Sequence, residues 1–545
     1  MEFNFALSHG LFSSAGPDSG TLLLLKAFSR KIDETLAAGQ PLPRSVLDAG
    51  SGTGILGICA ARALLAAGAG QAGWDGRVRA QDRDELARVF TRYNAALNGV
   101  SPALLAARTE PLLAGPPDGG WDLILSNVPA KTGKPVLRDF VSRSAALLSA
   151  GGQAMIVVVS PLASLFRSRI AELRLPLVYE EQGREHRVFM YRRGEHPADQ
   201  PPAGGSDRID RWARASFRQK WPAYFRCSAD YTLETVSYHL DAFHGVADFD
   251  TPSGAVQTAV KLLSNLERRT ERHVPAEEAE EAEEAEEAEE AEEAGTSFCG
   301  MLTPVLVFEP DQGHFPVWLA SKRQASERQA SKGQAPKGQA AAKLEGGPAP
   351  VGRWVFSGRN ILSLEAARYN TLRACGETEI RLLPAVDPAL DQAALAAFGP
   401  YRLIAFFPEI LPHAGGTERL DAWWAALAEL LMPGGFLIAA LSASGAERFD
   451  RRKPQGFTRR GDVRRNGFRA RLYSRIDGGA PAPAQAPPAP AAPSPAPASP
   501  APAQEPPASA APSPAPAQEP PAPAEEPPAS AAPSPAPAEE PPAPA

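Results

Sequence analysis

Three alternating glycines mark a segment that could hold a small charged ligand. The stretch VLDAGSGTGILG places Gly50, Gly52 and Gly54 directly after an apolar strand that ends near Asp48. Glycines permit positive φ and let the backbone approach a ligand, which the turn delivers to a helix N-terminus. Asp48 would repel a phosphate but attract the ammonium of an amino-acid ligand. We therefore predict S-adenosylmethionine (SAM), which carries an ammonium and a sulfonium, over a dinucleotide or a purely structural turn.

A second acid follows the next predicted strand. Asp82 lies 28 residues beyond Gly54, where a carboxylate can accept both ribose hydroxyl protons. The alternative role for Asp82 is the N-cap of the following helix, which we assign instead to Asp84. Thr109, near the expected end of a further strand, is the predicted adenine contact.

A third element, Asn127-Val128-Pro129-Ala130, follows a strand at Leu123–Ser126. It resembles the N/D-P-P-Y/F motif of amino-group methyltransferases. The resemblance implies that the Asn127 side-chain oxygen and the Val128 carbonyl accept hydrogen bonds from the target amine, with Pro129 fixing the turn. Asn127 is also counted among the predicted cofactor-binding residues. Ala130 stands where that family has an aromatic residue that stacks on a flipped base. Another side chain could stack in its place, or the target could be something other than a planar base.

The segment before this domain carries a further resemblance. Phe12-Ser13 and Asp18-Ser19-Gly20-Thr21 precede four consecutive leucines. This pattern resembles the FS…DxGSxLLL signature of bacterial ribosomal-RNA guanine-N2 methyltransferases, which are class I enzymes of the small-domain (MTS) type with tandem domains. The resemblance, close over residues 5–192, implies a Rossmann-like α/β fold, SAM as cofactor, and Thr21 as a contact to the amino-acid end of SAM.

Strand and helix patterns alternate through the first part of the chain, which indicates a mostly parallel sheet covered on both faces. The expected strands are Ser45–Ala49, Arg77–Gln81, Leu123–Ser126, Ala154–Val159 and Arg187–Tyr191. The pattern then recurs. Residues 77–94 align without gaps on residues 353–370, both ending Arg-Tyr-Asn, and three further blocks recur in the same order. We infer a duplicated α/β domain.

The second copy has lost the ligand-binding residues. In the alignment, Val307, Glu309, Asp311 and Gly358 replace Asp48, Gly50, Gly52 and Asp82, and Phe406-Phe407-Pro408 lies near the position of Asn127. The side chains of Glu309 and Asp311 add bulk at positions where the backbone of the turn has to lie against the ligand. We therefore predict that the second copy does not bind SAM. Five of its aromatic residues could pack a core or form a platform for bases: Trp318, Phe406, Phe407, Trp423 and Trp424.

These patterns divide the chain into four predicted parts. Residues 1–195 form the catalytic domain, 196–225 a linker, 226–476 the degenerate domain, and 477–545 a disordered Pro/Ala-rich tail. We expect disordered insertions in the degenerate domain at residues 276–294 and 321–347.

The charge of the chain is divided unevenly. The net charge is −7, but the Glu/Ala run at 276–294 holds twelve glutamates and the tail six, both without a base. The remainder is therefore positive on balance, which suits an anionic partner such as RNA. The stretch RRKPQGFTRRGDVRR (residues 451–465), together with Lys131 and Lys134, could contact phosphate or could be ordinary exposed surface.

Several classes of site and location are not expected. The four cysteines lack CxxC spacing, so neither a metal site nor a disulfide framework is predicted. The first residues do not form a signal peptide, and no apolar run approaches transmembrane length, so the cytoplasm is the default location.

The sequence thus predicts a SAM-dependent N-methyltransferase that acts on RNA, on a guanine N2 of ribosomal RNA. Two alternatives stay open. One is a protein or small-molecule amine methyltransferase, which Ala130 favours. The other is a non-catalytic SAM-binding scaffold, against which the intact first site argues.

Overall fold

Two sheets of seven mostly parallel strands organise the chain, as a computed structural model shows. The structure describes residues 2–12, 16–68, 73–114, 120–193, 216–248, 250–272, 303–331, 353–376, 378–408 and 416–476. The sheets have the same order, β3-β2-β1-β4-β5-β7-β6 and β12-β11-β10-β13-β14-β16-β15. This confirms the predicted duplicated Rossmann-like α/β fold.

The first copy begins with a capped helix and alternates strand and helix as expected. Its strands are β1 (Ser45–Ala49), β2 (Arg77–Asp82), β3 (Leu105–Thr109), β4 (Trp121–Asn127), β5 (Leu148–Val159), β6 (Leu177–Gln182) and β7 (His186–Arg192). Its helices are α1 (Ser19–Ala37), α2 (Ile55–Gly68), α3 (Glu85–Leu97), α4 (Lys134–Leu147) and α5 (Ala163–Glu172), with a 3-10 turn at Ser160–Leu162.

The second copy follows a short helix and a hairpin. These are α6 (Phe217–Lys220), a 3-10 turn at Pro222–Tyr224, β8 (Phe225–Leu233) and β9 (Val236–Phe243). The strands of the second sheet are β10 (Val305–Phe308), β11 (Arg353–Gly358), β12 (Glu379–Pro384), β13 (Tyr401–Phe406), β14 (Leu431–Ser442), β15 (Phe457–Arg465) and β16 (Phe468–Arg475). Its helices are α7 (Gly254–Arg272), α8 (His314–Ser331), α9 (Ile361–Cys375), α10 (Gln392–Ala396), α11 (Gly416–Leu430) and α12 (Ala443–Asp450).

The order of the first sheet brings the predicted site residues to one edge. β1 pairs in parallel with β2 on one side and with β4 on the other, with Asp48 opposite Ala80 and Leu125. The chain moves outward from β1 to β2 and β3 on one side of the sheet and then returns to β4 on the other side of β1. Such a reversal of strand order makes a crevice at the carboxyl ends of the strands. Asp48, Asp82 and Asn127 all lie at those ends.

Each copy is preceded by a segment that we call its strap, residues 6–10 in the first copy and 241–245 in the second. An asparagine at the same position of each copy binds the strap to the turn after the first strand of the sheet repeat. Asn94 exchanges hydrogen bonds with the backbone of Ala6, and its Nδ2 also donates to the Thr53 carbonyl (2.8 Å). Asn370 does the same with Asp241 and Gln312 (2.8 Å). The recurring Arg-Tyr-Asn is therefore explained by this clamp.

Two of the predicted unstructured segments are partly helical. Helix α8 runs to Ser331, into the insertion expected at 321–347, because buried Phe315 and Trp318 anchor its first turns and good helix formers follow. The end of the expected linker forms α6, whose Phe217 is buried in an apolar cluster with Val136 of α4. Residues 196–215, 276–294, 332–347 and 477–545 lie outside the described residues, and the predicted domain boundaries stay predictions.

Candidate active site

The glycine turn after β1 leaves open space above one of its residues. Gly52 has φ +53, and a Cβ built on it would have no neighbour within 4 Å. Gly54, at φ +87, instead packs against α3, since its Cβ would lie 3.1 Å from the Thr91 Cα. Gly50, at φ +79, faces Leu112. Gly52 therefore offers room for a ligand, while Gly54 serves close helix packing.

Asp48 lies beneath this turn and is fully buried. Its Oδ2 accepts a hydrogen bond from the Gly57 backbone N–H (2.8 Å), and its Oδ1 has no partner among the described residues. Burial raises the pKa of Asp48 to about 7. Direct contact with a ligand ammonium is not part of this arrangement, so the predicted attraction would act through space or through a bridging water.

Asp82 ends β2 beside the turn. Its Oδ2 accepts from the Gly52 N–H (3.0 Å) and its Oδ1 from the Asp84 N–H (3.0 Å). Asp84, and not Asp82, caps α3, by accepting from the Leu86 N–H (2.9 Å). The alternative role considered for Asp82 is thereby excluded, and its carboxylate is held at the crevice. Its role toward ribose stays a prediction.

The Thr109 hydroxyl points to an acid of α3. It donates to Glu85, a nearly fully buried residue that also binds Arg88. The hydroxyl is thus engaged within the protein. An adenine contact by Thr109 stays a prediction and would have to use its methyl group or backbone.

Asn127 meets the start of α1 at the end of β4. Its Nδ2 donates to both carboxylate oxygens of Asp18 (3.1 Å each) and approaches Thr21 Oγ1 (3.0 Å). Asp18 also caps α1 and accepts from the Thr21 hydroxyl (2.6 Å). Asn127 Oδ1 accepts no hydrogen bond from any described residue. Two acceptors on one side fix the amide with its oxygen facing away from Asp18.

Asp18 is the residue that sequence reasoning missed as a partner of Asn127. It lay within the upstream motif, but only the fold shows that this motif reaches the end of β4. Thr21 is buried and is bonded to Asp18 and Asn127 rather than acting as the cap of α1. The signal that could have found Asp18 is its position just before a long apolar helix, which predicts an N-cap but not its second role.

The turn after Asn127 presents one face to solvent. Val128 is buried, with its N–H bound to the Val157 carbonyl (3.0 Å), whereas Pro129, Ala130 and Lys131 are exposed. Within the described ranges, the Val128 carbonyl has no hydrogen-bond donor. The Asn127 oxygen and this carbonyl are therefore two acceptors for a substrate at the same edge as the glycine turn.

Comparison with known families decides what this domain is. Residues 2–169 match the family model of the methyltransferase small domain. We call this stretch, about a third of the chain, the methyltransferase domain. The match spans the glycine turn, Asp82 and Asn127, and it ends inside α5.

One relative with a methyltransferase name matches part of the chain. The ribosomal protein L11 methyltransferase of Rhodopseudomonas palustris (strain BisB5) is 36% identical over 132 residues, which are 24% of this chain and 37% of that protein. The chain thus spans little more than a third of that relative's length.

Among solved structures, the T. thermophilus 16S rRNA N2 G1207 methyltransferase with AdoMet and guanosine matches at 14% identity and TM-score 0.48, over 86% of this chain and 94% of that one. The ribosomal protein L11 methylase of Lactobacillus delbrueckii subsp. bulgaricus matches at 24% identity and TM-score 0.27, over 35% and 84% of the chains.

SAM is the cofactor of the methyltransferase domain, and the residues present fit it. The open space above Gly52 admits a ligand next to the backbone. Asp82 offers carboxyl oxygens at the strand end, and Asp48 Oδ1, which has no partner among the described residues, leaves a buried acceptor beneath the turn. A cationic ligand with a sugar matches this set better than a pyrophosphate does.

The second copy keeps the shape of the turn but fills it. Glu309, Asp311 and Gly313 have φ of +58, +48 and +93, as at the three glycines of the methyltransferase domain. The Glu309 carboxylate lies against Gly358, whose Cβ would be 2.7 Å from Glu309 Oε2. Gly358 occupies the position of Asp82, so in the second copy the Glu309 carboxylate lies where the first copy has the predicted ribose-binding acid. This supports the prediction that the second copy does not bind SAM.

The aromatic residues of the second copy pack its core. Trp318, Phe406, Trp423 and Trp424 are at most 2% exposed, and Phe407 packs against Phe315. Of the two uses considered for them, core packing is the correct one. A platform for bases would require exposed faces that these rings do not have.

Three of the seven basic residues in the stretch 451–465 pair with acidic side chains of the protein. Arg452 pairs with Asp421, Arg459 with Asp450 (3.3 Å) and Arg465 with Glu234 (4.0 Å). Charges that are already paired contribute less to phosphate binding. Fewer of its positive charges are therefore available to phosphate than its composition suggested.

In the part of the chain that the structure describes, no group of three or more His, Cys, Asp or Glu could hold a metal ion. None of the described helices combines the length and apolar character needed to cross a bilayer.

Asp48 makes the stability of the ligand-free protein depend on pH. Its folded-state pKa of about 7 lies above the ordinary value of 3.8, because burial disfavours the charge. The neutral Asp48 carboxyl contributes its full share to the free energy of unfolding below the unfolded-state pKa of 3.8. This contribution is lost as the pH rises through the folded-state pKa of about 7. We expect the stability of Asp48→Asn, which stays neutral, to gain on that of the wild type as pH rises from about 4 to about 7, and the difference to stay constant above that range.

The measurement is the free energy of unfolding in urea at several pH values, without ligand. Asp82 also has a pKa raised by burial, so the variant should keep part of the pH dependence. An identical pH dependence in both proteins would mean that Asp48 titrates normally.

Proposed function

We propose that this protein transfers the methyl group of SAM to an exocyclic amino nitrogen of RNA, the N2 of a guanine in ribosomal RNA. The observation that carries the proposal is the fixed orientation of the Asn127 amide, which leaves Oδ1 facing away from Asp18 at the edge of the sheet that also bears the glycine turn.

The cofactor supplies an electrophilic methyl group on a sulfonium. The chain positions the cofactor. The Gly52 turn accommodates its amino-acid end, and Asp82 accepts hydrogen bonds from its ribose hydroxyls. The start of α1 meets the end of β4, where Asp18 and Thr21 both bond to the Asn127 amide.

The two N–H groups of the substrate amine donate hydrogen bonds, one to Asn127 Oδ1 and one to the Val128 carbonyl. These two hydrogen bonds direct the nitrogen lone pair toward the methyl group and raise its electron density. An amine aligned in this way needs little further assistance, and the proton it loses after transfer can leave to solvent across the exposed face of Pro129 and Ala130.

RNA is supported by charge and by the upstream motif. Outside the acidic run and the tail the chain is positive on balance, and Lys131 is exposed directly after the turn that holds the target amine. Lys134, also exposed, begins α4 close by. Both lysines could bind the phosphates that flank a target base.

A protein amine is the second candidate. Ala130 is exposed and offers no ring on which a base could stack, and the L11 relative is by its name a methyltransferase of a ribosomal protein. A lysine or N-terminal amine needs no stacking partner, so these two observations favour it.

Labelled SAM separates the candidates. The full-length protein is incubated with total RNA and, separately, with total protein from cells that lack it. Label in ribosomal RNA, located to N2-methylguanine by nuclease digestion, supports the first proposal. Label confined to a protein band overturns the RNA assignment, while absence of label in both fractions opposes catalysis.

The hold on Asn127 gives a prediction about Asp18. We expect Asp18→Ser to lower kcat by about tenfold with the SAM affinity nearly unchanged, because a free amide spends less time with Oδ1 toward the amine. Serine still caps α1, so stability should be kept. The measurement is kcat beside the Kd for SAM.

Asp18→Asn, which keeps the length and one acceptor oxygen, is the matched control and should recover much of the rate. A rate that falls only in proportion to lost stability in both variants would leave Asp18 as a helix cap and nothing more.

A further inference from the structure

The two copies touch through the same loop of each. Asp84 and Asn360, which follow β2 and β11, form an antiparallel bridge. The Glu85 N–H donates to the Arg359 carbonyl (2.8 Å), and the Ile361 N–H donates to the Arg83 carbonyl (2.9 Å). Since Arg83 aligns with Arg359 in the repeat, the two bonds are equivalent. The contact is reciprocal, as across a two-fold axis.

The arginine side chains continue this reciprocity. Arg83 donates to the Gly245 carbonyl (2.7 Å), and Arg359 donates to the Gly10 carbonyl (3.0 Å). Gly10 and Gly245 are themselves equivalent, because each belongs to a His-Gly pair that opens its copy. Each copy therefore uses its arginine to hold the strap of the other.

One contact has no counterpart, and it points to the cofactor site. Arg359 pairs with Asp84, with Nε 3.0 Å from Oδ1 and Nη2 2.5 Å from Oδ2. The residue equivalent to Asp84 is the uncharged Asn360, so Arg83 has no such acid opposite it. Asp84 in turn donates its N–H to Asp82 Oδ1 (3.0 Å). An unbroken series of bonds thus leads from the second copy to the ribose-binding acid.

The degenerate turn anchors the start of this series. Glu309 Oε1 accepts from the Arg359 N–H (2.9 Å). The carboxylate that fills the second pocket therefore also fixes the backbone of the arginine that crosses to the first copy. The loss of SAM-binding residues in the second copy has left a structure suited to holding Arg359.

We propose that the second copy forms part of the cofactor site, with Arg359 as a positioning residue that holds Asp82 in place through Asp84. The proposal rests on the SAM-dependent function. It explains why the two domains meet beside the ribose-binding loop, since an ion pair with both side chains about a quarter exposed can order that loop.

The test uses the full-length chain and S-adenosylhomocysteine as the probe. Arg359→Ala should weaken its binding by about fivefold or more in calorimetry. Arg368→Ala is the matched control: Arg368 is also a partly exposed arginine, in the middle of α9, but its ion pair is with Glu365 of the same helix. It should bind the probe like the wild type.

A merely structural role is distinguished by the ribose. The 2′,3′-dideoxy analogue of the probe cannot bond to Asp82, so Arg359→Ala should weaken its binding much less. Asp84→Asn, which keeps the cap of α3, should weaken the parent probe, and adding Arg359→Ala should then change little.

The outcomes separate two failures. If the wild type does not bind the probe, the SAM-dependent function fails. If the wild type binds it but Arg359→Ala binds equally well, or if both probes lose affinity equally, the positioning role of Arg359 is wrong while the proposed function stands.

Discussion

Asn127→Ala should reduce methyl transfer by about a hundredfold or more, while SAM affinity stays within about threefold of the wild type. The side chain supplies one of two acceptors for the target amine, and its loss leaves the Val128 carbonyl alone. Among the described residues, Asn127 makes no hydrogen bond to the glycine turn or to Asp82, so we expect cofactor binding to survive.

The measurement is single-turnover transfer of labelled methyl to the substrate fraction that the wild type labels, beside calorimetry with SAM. Asn127→Asp is the informative companion: it keeps an oxygen toward the amine but loses the donor to Asp18 and sets two carboxylates side by side. Turnover by Asn127→Ala at the wild-type rate would remove this residue from the mechanism.

Gly52→Val should abolish SAM binding, with the fold retained. Gly52 has φ +53, which a β-branched residue adopts only with strain, and its Cβ would project into the open space above the turn. It would also disturb the N–H that Gly52 donates to Asp82. We expect an affinity loss of about a hundredfold or more, beyond the range of ordinary calorimetry.

The second copy supplies the matched control for this variant. Asp311 stands at the equivalent position, also with positive φ (+48). Asp311→Val introduces the same residue and a similar strain, yet it should leave SAM affinity within about threefold of the wild type. Equal losses in both variants would mean that the effect comes from general destabilisation.

Local sequence signals were sufficient for the features that depend on short stretches of chain. The glycine turn, the strand ends at Asp82 and Asn127, and the cap at Asp84 follow from turn chemistry and apolar runs, which act over a few residues. The duplication was visible because four blocks recur in order. The inference that Trp423 and Trp424 pack a core also held, because large rings in helices beside a sheet are buried more often than not.

Features that depend on distant packing could not be predicted. Asp18 and Asn127 are 109 residues apart, and only the closure of α1 onto the sheet brings them together. The pairing of Arg359 with Asp84 spans 275 residues and depends on how the copies dock, which no periodicity encodes. Helix α8 extends into the insertion expected at residues 321–347. Its buried first turns nucleate the helix, which then continues through the polar residues that follow.

Calorimetric titration of the full-length protein with S-adenosylhomocysteine tests the central account most directly. One molecule should bind per chain, in the pocket bounded by Gly52 and Asp82, and the Glu309 side chain should keep the other copy empty. A stoichiometry of zero would contradict the methyltransferase assignment, and a stoichiometry of two would contradict the inactivity of the second copy.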